Sequence, residues 1–185
     1  MENRFILSPI FSDIISTVID LLRSLFSHQA WADATILQAV QDHPESLRDE
    51  QLLKTLHHIV MAQQVLLSRV LARSFDAAKE SQPLESFDQL IQLFHATHEE
   101  ELAFVNGLSE DDLERRFDLP ILGSRPTVGE GLTQIVMHSQ NHRGQCLTRL
   151  RENGVKPPTL DYILWAKDRP APSWPSASTP ARPGP

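Results

Sequence analysis

Proline is kept out of four long stretches of this chain, residues 10–43, 45–82, 84–119 and 127–156, although the sequence contains 13 prolines. Eight of the 13 fall after residue 156. Glycine is rarer, with seven in all, the first at Gly107. An interior proline costs a helix about 3 kcal/mol and a glycine about 1 kcal/mol. Proline-free runs of 34, 38, 36 and 30 residues therefore read as four helices. A β-sandwich needs turn residues every ~8–12 positions, and the first hundred residues do not supply them. The fold class expected is all-α: a four-helix bundle with a long crossover connection and a short fifth helix at the C-terminal end.

The apolar periodicity agrees. The first helix is expected to start between Ser8 and Ser12, with Ser8-Pro9 suited to its cap and first turn, and Ile14, Val18, Leu21, Leu22, Leu25, Ile36, Leu37 and Val40 recur at three-to-four spacing until His43-Pro44. The second helix is expected to open at Ser46, with Asp49 as a loose capping-box partner, and to fade between Asp76 and Gln82. Ser86 with Gln89 opens the third, and Gly107 reads as its C′ residue. Residues 108–126 form a connector, in which Ser109 can start a short helix. Thr127 with Glu130 caps the fourth helix, and Thr159 is the expected cap of the short fifth, Leu160 to Lys167. Residues 1–168 are expected to form one domain. Residues 169–185, rich in Pro, Ser and Ala without apolar period, are expected to be disordered.

Composition narrows the partners. Lys+Arg 17 against Asp+Glu 24 leaves a net charge of −7, which argues against nucleic-acid binding. One cysteine, Cys146, excludes an internal disulfide framework and fits a reducing compartment. No run approaches the ~18 apolar residues of a membrane span, and the N-terminus lacks a signal-peptide pattern. A cytoplasmic protein with no membrane partner is expected. Apolar residues all round the first helix suggest a homodimer.

The eight histidines lie at 28, 43, 57, 58, 95, 98, 138 and 142. His138 and His142, at i,i+4, present both imidazoles on one helix face, which suits either one metal ion or two hydrogen-bonded core histidines. His95 and His98 form a second pair. His98 lies on the stripe of Phe87, Ile91, Phe94 and Leu102, so a buried His98 beside a surface His95 is favoured over a ligand pair. His57 and His58 point about 100° apart, and periodicity does not choose between them. His28, one turn before Trp31, lines a pocket mouth or sits on the helix surface. Cys146 offers a ligand, a nucleophile or a small buried apolar residue. There is no His-Glu-x-x-His and no Glu-x-x-His, which removes zincins and carboxylate-bridged di-metal bundles.

Three segments together resemble the DinB-like family: Leu25-Phe26-Ser27-His28-Gln29-Ala30-Trp31-Ala32-Asp33, Thr55-Leu56-His57-His58-Ile59, and His138-x-x-x-His142-Arg143-Gly144-Gln145. The third is the most specific. Gly154-Val155-Lys156-Pro157-Pro158-Thr159-Leu160-Asp161-Tyr162 is similar as well, so the likeness runs from about residue 21 to 168. The resemblance implies a four-helix bundle holding a divalent metal through His58, His138 and His142. It selects His58 over His57, because the family places its ligand two residues after a leucine, here Leu56. Gln63, Leu66 and Asn141 depart from the family pattern and bear on the pocket lining.

Three neutral imidazoles with open positions make a catalytic type of site. They leave the ion its full charge, able to acidify a bound water or thiol. Zinc or nickel suits such ligands best, and iron also fits. A low-molecular-weight thiol is implied as cosubstrate by the family's overlap with thiol-dependent transferases. Arg143 pairs with a nearby carboxylate or binds an anionic substrate, Gln145 supports a ligand, and Gly144 lets two backbones approach. Trp31 and His28 are expected near the pocket. Two functions stand against each other: a metal-dependent transferase or hydrolase, and a non-catalytic metal-binding or stress-response protein. A third, a helical module whose histidines are only core residues, is separated from both by metal analysis.

Overall fold

The computed structural model describes residues 9–76, 82 and 84–176, with side chains from Val18 onward. Four long helices form the bundle: α1 (Pro9–Gln41), α3 (Glu50–Val70), α4 (Phe87–Asn106) and α6 (Val128–Glu152). Short helices α2 (Pro44–Leu47), α5 (Glu110–Glu114) and α7 (Tyr162–Asp168) and a 3₁₀ turn (Pro120–Leu122) occupy the links. Among the described residues there is no strand, only isolated bridges between Arg116 and Thr127 and between Leu119 and Ser124.

Cross-helix contacts give the helix directions. Arg23 Nε donates to Val105 O, and Gln29 Nε2 donates to Glu101 Oε2, so α1 and α4 are antiparallel. Arg149 Nε and Asn153 Nδ2 reach Asp49, while Gln63 Nε2 reaches Ser139 Oγ, so α3 and α6 are antiparallel. Leu53 shares a cleft with Phe87 and Leu90, and Gln64 donates to Thr97, so α3 and α4 run parallel. The order is up, down, down, up. Parallel α3 and α4 need a link that returns the length of the bundle, and in the chain it falls between Val70 and Phe87.

Local chemistry moves several boundaries from their expected places. The second long helix starts at Glu50, not Ser46. Pro44 begins a separate four-residue turn with Ser46 buried inside it. Asp49 is the cap, its carboxylate accepting from Gln51 N and Leu52 N at 3.1 Å each. The helix stops at Val70, well before Asp76, where Ala72 takes a positive φ of 53°. Ser86 caps α4, yet Gln89 turns back to Glu85 N rather than to the cap itself. Gly107 has a φ of −87°, so the left-handed turn expected there is absent; Gly154, at +78°, supplies one after α6. The box at Thr127 and Glu130 forms in both directions, at 3.1 and 2.7 Å. The fifth helix starts at Tyr162 with Asp161 as N-cap, two residues beyond Thr159.

Asp49 combines two roles, since its Oδ2 also accepts from Arg149 Nε at 3.0 Å and Asn153 Nδ2 at 2.9 Å. These bonds hold its carboxyl low, at about 2, against the opposing effect of burial. Asp49→Ala is expected to destabilise the fold by about 1–2 kcal/mol, the upper range of a lost helix cap. A urea unfolding midpoint identical to that of the parent would contradict this.

The first part of the segment expected to be disordered, residues 169–176, makes contacts with the helices. Trp165 Nε1 donates to Pro170 O, and Gln41 Nε2 donates to Ser176 O. Trp174 lies over His98, with ring centroids 5.5 Å apart, and packs against the core. An aromatic residue among the prolines gives the segment something to bury. Residues 177–185 lie outside the described residues.

The core is divided. Ile36, Leu37, Leu56, Ile59, Phe94, Cys146 and Leu150 belong to one apolar cluster. Phe26, Leu67, Val70, Val105, Leu132 and Ile135 belong to the other. Between them each long helix contributes buried polar residues: Gln29 and Asp33, Gln63, His98 and Glu101, Ser139 and Arg143.

Candidate metal centre

His58 on α3 and His138 and His142 on α6 meet at the seam between those helices. Their rings lie 5.0, 4.6 and 4.5 Å apart by centroid. One nitrogen of each lies within 4.8 Å of the others, and no carboxylate or thiol shares the cluster among the described residues. An ion about 2.0–2.1 Å from each nitrogen needs them roughly 3 Å apart, a closure within side-chain rotation. His58 is exposed and the other two are half-buried.

Burial, and then mutual repulsion, favour the neutral, ligating form of His58 and His138. Burial lowers the pKa of His58, and the positive charge of His142 lowers it further. Burial acts first on His138 as well, followed by His142 and His58. His138 Nδ1 is buried with no hydrogen-bond partner among the described residues. His142 Nδ1 lies 3.0 Å from Gln145 Oε1. With Nδ1–H donating to that oxygen, His142 keeps its Nε2 lone pair free, the usual arrangement of a metal-binding imidazole. The three histidines thus fit a divalent metal by donor type and mutual position.

The remaining histidines go elsewhere. His57 faces a cleft of about 290 Å³ walled by Leu53, Leu84, Phe87 and Leu90. His28 is buried rather than on the helix surface, 2.8 Å from Leu160 O, with Tyr162 and Trp165 edge-on to its ring. Burial lowers its pKa, opposed by the bond to Leu160. Trp31 packs on His28 and on the core. His28 thus holds the C-terminal segment, where Leu160 to Trp165 fold back over α1, while Trp31 sits at the edge of the apolar core. His95 is half-exposed, 3.6 Å from Glu99, whereas His98 is buried.

Arg143 follows a candidate ligand yet turns inward and is 1% exposed. Its NH1 donates to Asp33 Oδ1 at 3.0 Å. Asp33 Oδ2 accepts from His98 Nε2 at 2.9 Å and from Gln63 Nε2 at 3.1 Å. His98 Nδ1 is 3.0 Å from Glu101 Oε2, within ion-pair range though not aligned for a hydrogen bond. Burial opposes the His98 charge, but Asp33 and Glu101 outweigh it and raise its pKa to about 9. Burial likewise opposes the charge of Asp33, and Arg143 and His98 reverse that and lower its pKa. The cluster then holds two negative and two positive charges.

Cys146 is fully enclosed, and burial pushes its thiol up to about 12, so it is a buried apolar residue rather than a ligand or nucleophile. Gly144 has open space where a Cβ would stand; the close approach is at Gly131, where a Cβ would lie 2.7 Å from the Phe117 ring.

Comparison with known proteins agrees with this architecture. The family model of the DinB superfamily matches residues 27–146. The chain belongs to the DinB superfamily. A crystal structure of a DinB-like protein from Bacillus cereus ATCC 10987 superposes with a TM-score of 0.54 at 19% identity, covering 76% of this chain and 92% of that one. That likeness concerns the fold. The curated proteins give no match. No described helix is long and apolar enough to cross a membrane.

Sequence reasoning missed Asp33 and Glu101 as partners, and it treated Gln63 as pocket lining. The available signal was a polar residue on the apolar face at one level of every long helix.

Proposed function

We propose that this DinB superfamily protein binds one divalent transition metal through His58, His138 and His142 and uses it as a thiol-dependent transferase or a hydrolase. The observation that carries the reading is the convergence of three imidazoles from two helices with no fourth protein donor among the described residues. A bound ion in such a site supplies Lewis acidity and lowers the pKa of a bound water or thiol. Around it Gln145 holds the tautomer of His142. Arg143 is committed to Asp33 and is withdrawn from substrate binding. Zinc or nickel suits the ligand set best, with iron also compatible.

Elemental analysis of protein purified without a histidine tag is expected to find about one divalent ion per chain, and His58→Ala to lose it. Electrophiles presented with cellular thiols, and esters or amides without them, test the reaction class. Turnover that survives in His138→Ala would refute the enzymatic reading. A second reading, metal binding without turnover, is favoured by the lack of a carboxylate beside the cluster among the described residues. A loaded protein inert across that panel would establish it.

A further inference from the structure

The polar layer in the middle of the bundle lies directly behind the three histidines in sequence. Ser139 follows His138, Arg143 follows His142, and Gln63 lies five residues after His58. All three are buried, and they meet through Asp33: Arg143 and Gln63 both donate to its carboxylate, and Gln63 donates also to Ser139. α1 brings Asp33, α3 Gln63, α4 His98 and α6 Arg143, so a single carboxylate joins all four long helices.

Stability alone does not account for such a layer. Buried ion pairs gain little over apolar residues of similar volume. The bonding here is also incomplete. Among the described residues, Glu101 Oε1, Gln29 Oε1 and Gln63 Oε1 accept no hydrogen bond. What directional bonds do supply is register. Apolar residues at i and i+4 tolerate a slide of one helix along another, whereas a charged layer with fixed partners does not.

We propose that Asp33 and Arg143 are positioning residues that set the register of α6 against α3, and thereby place His138 and His142 opposite His58. The inference rests on the metal reading only for its affinity measurement. A slide by one turn, about 5.4 Å, exceeds the 4.8 Å span that now contains the three ligand atoms. The layer is thus matched to the tolerance the site requires.

The test replaces the layer as a whole, combining Gln29→Leu, Asp33→Leu, Gln63→Leu, His98→Leu, Glu101→Leu and Arg143→Met. Zinc affinity is measured against a competing chelator. Proton NMR contacts between the ring of His58 and those of His138 and His142 are measured in metal-free protein. The expected variant is folded and helical, binds zinc about 10–100-fold more weakly, the range found when supporting partners of metal ligands are removed, and loses or weakens the ring contacts. A folded variant with parental affinity and unchanged ring contacts overturns the proposal. If the combined variant does not fold, Asp33→Asn keeps the shape and removes the charge, and the same two measurements decide. Parental protein that fails to bind zinc refutes the metal reading instead, and the ring contacts then judge the register alone.

Discussion

Arg143→Met is expected to lower the unfolding free energy by about 3–5 kcal/mol, the cost of removing one partner from a buried ion pair. The guanidinium is 1% exposed and bonds Asp33 Oδ1 at 3.0 Å. Methionine restores part of the volume, so the main loss is electrostatic. Asp33 would remain with His98 and Gln63 as partners, and Glu101 with His98 and Gln29, leaving two carboxylates against one cation. The effect should be far larger than that of a surface pair such as Lys54–Glu50, 3.2 Å apart with both side chains exposed, where about 0–1 kcal/mol is usual. Chemical denaturation of Arg143→Met beside Lys54→Met makes the comparison. Equal losses in the two would show that the buried pair carries no special weight.

The second large effect is on pH. His98 faces Asp33 from α1, Glu101 from its own helix, Gln63 and Arg143 around the Asp33 carboxylate, and the rings of Phe94 and Trp174. Its folded pKa of about 9 lies above the ordinary histidine value of 6.5. A group raised on folding stabilises fully below its unfolded pKa and loses that contribution as pH rises through the folded value. Stability should therefore fall between about pH 6.5 and 9, by an amount on the order of a few kcal/mol, since each unit is about 1.4 kcal/mol. His28, His58 and His138 act in the opposite sense: their pKa values are lowered, so they withdraw stability as pH falls below 6.5. Urea midpoints across this range, for the parent and for His98→Gln, isolate the alkaline arm. A parental profile flat from neutrality to pH 9 would refute a charged His98.

Both predictions concern residues that sequence reasoning treated unevenly. His98 was legible as buried, because it falls on the stripe of Phe94 and Leu102. Arg143 was legible as one of two alternatives, and the structure selects the carboxylate. Asp33 stood in a recognised segment without a role. Its partners come from three other helices, 30, 65 and 110 residues away, and no local rule spans such distances. The boundary errors have the same origin on a smaller scale. Ser46 and Thr159 are good caps by residue type, yet Asp49 and Asp161 hold the positions, Asp49 with added support from Arg149 and Asn153 across the bundle.

The proline-free stretches, the apolar stripes and the i,i+4 histidines determined that the chain is helical, that it forms a bundle, and that α6 offers two imidazoles on one face. These are properties of single helices, set by backbone sterics and 3.6-residue periodicity, and they are written in the sequence. The tertiary structure decided which histidines meet, that His28 serves the C-terminal segment, and that a charged layer divides the core. Those outcomes depend on how four helices are aligned along their axes. A repeating apolar stripe leaves that alignment open, and the directional bonds of buried charges close it.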